Sequence, residues 1–303
     1  MNPVDYAALN EQFGLLGQVT FKEGPGGLPA VEVRNPLGRA TLLLQGAHII
    51  DWTPIGADPV IWLSKDAKFV PGKSVRGGVP VCWPWFGPHP SQASFPAHGF
   101  ARTVDWEVIG TRALPDGETW LALRMTPTDA TRAQWPQACE AVLQIVVGRT
   151  LDIDLATRNT GKKALTIGDA LHTYFAVGDA SKISIHGLDG VPYLDKVDGG
   201  KQKQQAGAVS IYQEVDRIYF NTAHDCVIED PVKQRRIRVA KQNSHSTVVW
   251  NPWVEKADKM GDLGVNGYLD MVCVESTNAA EDVVTLKPGA EHHLWVRYSV
   301  ETF

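Results

Sequence analysis

The chain has 303 residues, 44% of them hydrophobic and 21% charged, the proportions of an ordinary folded protein. A formal net charge of -5 argues against nucleic-acid binding, which normally brings a basic surplus. No signal-peptide start and no stretch long and apolar enough for a membrane helix is present, so no membrane partner is expected; the scattered Cys82, Cys139, Cys226 and Cys273 read as reduced thiols of a cytoplasmic protein.

Val4 to Phe13 is a short amphipathic helix pattern, and a second turn or two spans Asp129 to Gln134 before Pro136. Almost everything else is strand-like. Ala40 to Trp52 reads as one β-branched and leucine-rich strand, followed by Pro59 to Leu63 and Thr119 to Met125. Glu140 to Val147 and Leu151 to Arg158 flank Gly148-Arg149 as a hairpin. Further runs are Ala164 to Val177, Lys182 to His186, Asp216 to Phe220, Asp225 to Glu229, Arg235 to Ala240, Thr247 to Trp250 and Asp270 to Ser276. The chain closes with Val283 to Leu286, a turn at Lys287–Ala290 and His292 to Val300. Short strands at this spacing predict an all-β, antiparallel sandwich with few helices. The polar stretch 199–205 is expected to be a surface loop, and no linker divides the chain, so residues 1–303 are read as one domain.

The densest chemistry lies in Val75-Arg76-Gly77-Gly78-Val79-Pro80, Trp83-Pro84-Trp85-Phe86-Gly87 and His98-Gly99-Phe100-Ala101-Arg102. Arginine forks suit phosphate or carboxylate, and aromatic faces suit sugar rings. Trp83, Trp85 and Phe86 stay open between site wall and core. Lys73 could add charge to such a site, although an exposed lysine is the plainer reading.

His172 interrupts the apolar run Leu171-His172-Thr173-Tyr174-Phe175, and Glu275 interrupts Met271-Val272-Cys273-Val274-Glu275-Ser276. Each offers a proton-transfer group in a setting where charge is costly. From the motifs alone, a backbone-bonded core histidine and a solvated strand-end glutamate remain open. Asp216 reads first as a turn or capping residue, and His98 either points into a site or closes a turn. Lys233 to Arg238 is expected to be a solvated strand face. Metal-ligand spacings, phosphate-cradling glycine loops and nucleophile elbows are missing, so no metal or cofactor is expected.

Taken in order, VRGGVPVCWPWFG, HGFAR, LHTYF, DRIY, VWNPW and MVCVES resemble the hexose-6-phosphate mutarotases of the aldose 1-epimerase (galactose mutarotase-like) superfamily, from about Gln45 to the last strand. The resemblance implies a large antiparallel β-sandwich that interconverts the α and β anomers of a hexose 6-phosphate, most simply glucose 6-phosphate. It implies His172 as general acid and Glu275 as general base, Arg76 and Arg102 on the phosphate, and His98 and Asp216 along the sugar. A carboxylate such as Asp216 is expected to favour a protonated His172. A monomer is expected, acting on a small-molecule sugar phosphate. A mutarotase for free aldoses such as galactose, and a sugar-phosphate-binding protein without turnover, are the alternatives. Residues 1–44 and 199–209 carry no functional expectation.

Overall fold

Two eight-stranded antiparallel sheets dominate the computed structural model, which describes residues 4–303. The front sheet runs in the order Lys201–Gln204, Pro192–Asp195, Val215–Phe220, Ser246–Asn251, Met271–Asn278, Asp169–Leu171, Val81–Cys82, and Tyr174–Ala176 also pairs with Met271–Asn278. The back sheet runs Ser184–His186, Cys226–Asp230, Arg235–Gln242, Glu291–Thr302, Leu151–Asn159, Cys139–Val147, Thr119–Met125, Trp106–Ala113. A four-stranded antiparallel sheet, Val19–Glu23 through His48–Pro54, adds its own apolar face to the same core.

The back sheet alternates as its sequence predicts: in Arg235–Gln242 every second residue is buried. Its inward residues, among them Leu123, Leu143, Ile153, Leu155, Ile237 and Leu294, meet Leu171, Phe175, Val249, Val272 and Val274 of the front sheet in one continuous core. Trp52, Trp83 and Trp106 are fully buried there. Each removes on the order of 200 Å² from water, about 5 kcal/mol of gross stabilisation.

Several expectations change. Ala40 to Trp52 is two strands, because Gly46 and Ala47 take positive φ (78° and 45°) and turn the chain between Gly38–Leu43 and His48–Pro54. Ala164 to Val177 breaks into Leu165–Ile167, Asp169–Leu171 and Tyr174–Ala176. Pro59 to Leu63 makes only isolated bridges, Ile61 with Phe175 and Leu63 with Gly77. Within 199–205, Lys201–Gln204 is an edge strand paired with Pro192–Asp195, whose polar side chains suit an outer edge. Arg235 is buried rather than solvated, its guanidinium donating to the carbonyls of Asp58, Pro59 and Ala176 (3.1, 3.0 and 2.6 Å). The helix Trp253–Met260, stopped by Gly261 at φ 67°, has no counterpart in the expected elements. The helix Tyr6–Phe13 is capped by Asp5, whose side chain accepts from Ala8 N (3.0 Å), and Asp129–Gln134 forms as expected. Among the described residues no helix is long and apolar enough to cross a membrane.

Candidate active site

The two central front strands break the alternation. All six residues of Ser246–Asn251 and all eight of Met271–Asn278 are buried. Val272 and Val274 face the inter-sheet core, whereas Met271 and Cys273 point the other way, into a second cluster with Trp62, Tyr174, Val248, Trp250, Ala257 and Leu263. Alternation puts Glu275 on that outer face, two residues on from Cys273.

Register arranges this face as a lattice. One row runs Asp216, Trp250, Cys273, Tyr174, each paired with the next across neighbouring strands. The adjacent row begins Ile218, Val248, Glu275. His172 lies in the break between Asp169–Leu171 and Tyr174–Ala176; because Leu171 pairs with Ser276 and Tyr174 with Cys273, the break sets His172 opposite Glu275. Their nearest atoms, His172 Nδ1 and Glu275 Oε1, are 3.4 Å apart. Glu275 is only 1% exposed, so it is neither a strand end nor solvated. Neither His172 Nδ1 nor Glu275 Oε2 has a hydrogen-bond partner among the described residues, which leaves both atoms available to something bound.

The VRGG segment is stitched to this strand. His172 N–H donates to Pro80 O and Tyr174 N–H to Gly78 O, both at 3.0 Å. Glycine is required at Gly78: φ is 73°, and a Cβ there would lie 2.3 Å from His48 Nε2. Arg76 is consequently held over Tyr174, donating to its hydroxyl (3.0 Å) and to both carboxylate oxygens of Asp262 (3.1 and 3.4 Å). Arg102 differs, since its guanidinium donates to a neutral acceptor, Ala97 O (3.0 Å). Its positive charge disfavours protonation of His98 and His172 and favours ionisation of Cys82 and Glu275.

His98 completes a third side. Its ring lies 5.9 Å from that of His172 and 4.7 Å from Phe86, and Gly87 N–H donates to His98 Nδ1 (3.4 Å). Its φ of 67° belongs to the tight turn before Gly99. Asp216, on the far end of its row, is 3.8 Å from Lys256 Nζ. The open aromatics divide. Phe86 packs against the outer cluster, whereas Trp83 and Trp85 belong to the inter-sheet core, with Trp83 Nε1 donating to Thr157 Oγ1 (3.0 Å). Lys73 is exposed.

Burial dominates the ionisation of the pair. It pushes Glu275 well above the usual carboxylate range, reinforced by Asp216 and opposed by Arg102. It also pushes His172 well below the usual imidazole value, aided by the charges of His98, Arg102 and Arg76. His98 falls to about 3 through burial and Arg102. The expectation that a carboxylate such as Asp216 keeps His172 protonated does not hold, because burial and the neighbouring positive charges favour the neutral imidazole. Both shifts favour the uncharged forms, a carboxyl facing an imidazole.

Trp62, Tyr174, Trp250 and Asp262 were not marked as site residues by the sequence. For Trp62 and Tyr174, ring stacking at 5.9 Å is the relevant relation, and it joins residues more than 100 positions apart. Only the VWNPW motif carried a hint of Trp250.

A sandwich of large antiparallel sheets with this layered front face is the fold of the galactose mutarotase-like proteins. The chain belongs to the aldose 1-epimerase family, whose model matches residues 29–299. It is 38% identical over 266 residues to an Escherichia coli K12 protein provisionally named glucose-6-phosphate 1-epimerase, covering 88% of each. It is 33% identical to a protein of the same provisional name from Cenchrus ciliaris, over 88% of this chain and 83% of that one. A crystal structure of a provisionally named mutarotase from Salmonella typhimurium matches at a TM-score of 0.88 and 32% identity over 94% of both chains. At 14% identity, a galactose mutarotase-like protein from Clostridium acetobutylicum (TM-score 0.70, covering 94% and 98%) shares the fold.

Proposed function

We propose that this protein interconverts the α and β anomers of a hexose 6-phosphate, most simply glucose 6-phosphate, with His172 and Glu275 as the proton-transfer pair. The observation that carries the reading is their 3.4 Å approach, each with an unpartnered atom, beside two arginines. Ring opening takes a proton from the C1 hydroxyl and gives one to the departing O5. The aldehyde then turns about C1–C2 and the ring closes on its other face. In this reading the pair holds one proton, which must lie on His172 with Glu275 as carboxylate when the ring opens, so substrate binding has to move it from the carboxyl that burial favours. Each positioned transfer contributes about 10²–10⁴ in rate. In this reading Glu275 is the base and His172 the acid on opening, and these exchange on closure, so no net proton is consumed.

Arg102, bonded to a carbonyl, is the stronger phosphate anchor; Arg76 adds a guanidinium whose charge Asp262 partly offsets. Charge-assisted bonds to a phosphate are worth roughly 1.5–3 kcal/mol each and favour the phosphorylated sugar over galactose, whose site needs no such pair. His98 and Asp216 flank the ring, and Phe86 and Trp250 supply apolar faces. The four free cysteines fit a cytoplasmic setting. We read the whole chain as one domain acting as a monomer.

Fresh α-glucose 6-phosphate followed by polarimetry or anomer-resolved NMR tests this, with galactose alongside. Acceleration of the phosphorylated sugar alone is the expected result. Equal acceleration of galactose would move the protein to the free-aldose mutarotases, and none of either would leave it a binding protein.

A further inference from the structure

Cys273 takes no part in the chemistry above, yet it is fully buried beside the pair that does. Its Sγ, one nitrogen of His172 and one carboxylate oxygen of Glu275 all lie within 4.8 Å of one another. Tetrahedral coordination, with bonds of about 2.0–2.3 Å, sets ligand–ligand edges of roughly 3.3–3.8 Å. The His172–Glu275 edge already measures 3.4 Å. Closing the thiol onto that edge takes about 1 Å, within the reach of a side-chain rotation.

We propose that His172, Cys273 and Glu275 form a binding site for a thiophilic divalent cation of the Zn²⁺ class, which blocks the sugar site when it binds. Thiolate, imidazole and carboxylate together suit Zn²⁺ and exclude Mg²⁺, which prefers an all-oxygen, largely hydrated shell. A divalent ion with one thiolate and one carboxylate is charge-neutral, which limits the cost of burying it. The fourth position opens through the 13% exposed His172 side chain towards the cleft, where water or a sugar oxygen completes the tetrahedron. The ion takes up the His172 and Glu275 side chains that the proposed reaction needs, so metal and sugar exclude each other. The spacing was invisible in sequence because the ligands come from one strand and from a strand break about 100 residues away, aligned only by register.

Metal binding stands independently of the proposed reaction; inhibition rests on it. The test uses the full chain with Co²⁺ and Zn²⁺ alone. Co²⁺ is expected to give a thiolate-to-cobalt charge-transfer band in the wild type that disappears in Cys273→Ser. X-ray absorption of the wild-type Zn²⁺ complex is expected to show one sulfur near 2.3 Å, a readout that needs no variant to fold. In the anomerase assay Zn²⁺ should inhibit competitively with the sugar phosphate, Mg²⁺ should not, and Cys273→Ser should raise the half-inhibitory Zn²⁺ concentration at least tenfold relative to its own uninhibited rate. No charge-transfer band and no sulfur shell would overturn the site. A band without anomerase activity would keep the site and overturn the reaction.

Discussion

The two large sheets share a core and differ in their other face. The back sheet turns that face to solvent and carries it on exposed ion pairs such as Arg236–Glu229 (2.9 Å) and Arg124–Glu107 (3.0 Å). The front sheet covers its other face with the Trp253–Met260 helix, Leu263, Trp62 and Phe86, and so buries Glu275 and the Cys273 thiol, and half-buries Asp216, where water would otherwise hold their charge states near normal. The same secondary structure thus gives an inert wall on one side and reactive groups on the other. What separates them is whether a second layer removes the water.

That contrast is open to attack at several points. Glu275→Gln keeps the volume and hydrogen-bonding shape but removes the exchangeable proton. A fall in kcat of about 10²–10⁴, with KM little changed, is expected from anomer-resolved NMR. A near wild-type rate would show that the buried face is not the reactive one.

The pH profile should be wide. Its acid limb reports addition of a second proton to the pair and falls below the usual imidazole range, since His172 is lowered; its alkaline limb reports loss of the shared proton and lies above the usual carboxylate range, since Glu275 is raised. A kcat/KM profile that titrates as a single ordinary histidine would contradict the neutral pair.

Asp169 offers a stability test. It is fully buried on the front sheet, both oxygens lack partners among the described residues, and burial, with Asp282 adding, raises it to about 8. A carboxyl raised above its unfolded value costs nothing below about pH 4 and destabilises progressively as pH climbs from there to 8. Relative to wild type, Asp169→Asn should gain stability across that window, by about 5 kcal/mol at most, measured as denaturant midpoints at pH 4, 6 and 8. Parallel pH dependence in the two proteins would show that Asp169 finds a partner in solution.

Asp262→Asn should free the Arg76 fork from its counter-charge while leaving Tyr174 beneath it. KM for the sugar phosphate is expected to change about three- to tenfold with kcat nearly constant, whereas a large fall in kcat would make Asp262 part of the chemistry. The smallest effect belongs to the back sheet. Arg236→Ala should cost below about 1 kcal/mol and leave activity unchanged, as exposed ion pairs generally do.

The same contrast explains what could be read from the chain. Back-sheet strands such as Thr119–Met125 and Leu151–Asn159 were legible because one wet face imprints alternation. Leu171–Phe175 and Met271–Ser276 stood out for the opposite reason, a lone polar residue within an apolar run. Arg76 and Arg102 were found by motif, but the Asp262 partner was not, since it follows a helix whose pattern is too short to register. Gly46–Ala47 hid a turn inside apolar sequence, and Trp83 and Trp85 gave no sign of which layer they join. Residue type revealed what could react; only cross-strand register revealed what meets what.

The backbone bonds from His172 to Pro80 and from Tyr174 to Gly78 have a further consequence. They tie the arginine-bearing loop to the segment that presents the imidazole, so under the proposed function anion anchor and proton donor form one gauge. A gauge selects by length. The distance from phosphate to ring oxygen is then part of the recognition, and a hexose carrying its phosphate on C3, across the ring from O5, is expected not to present both groups at that spacing.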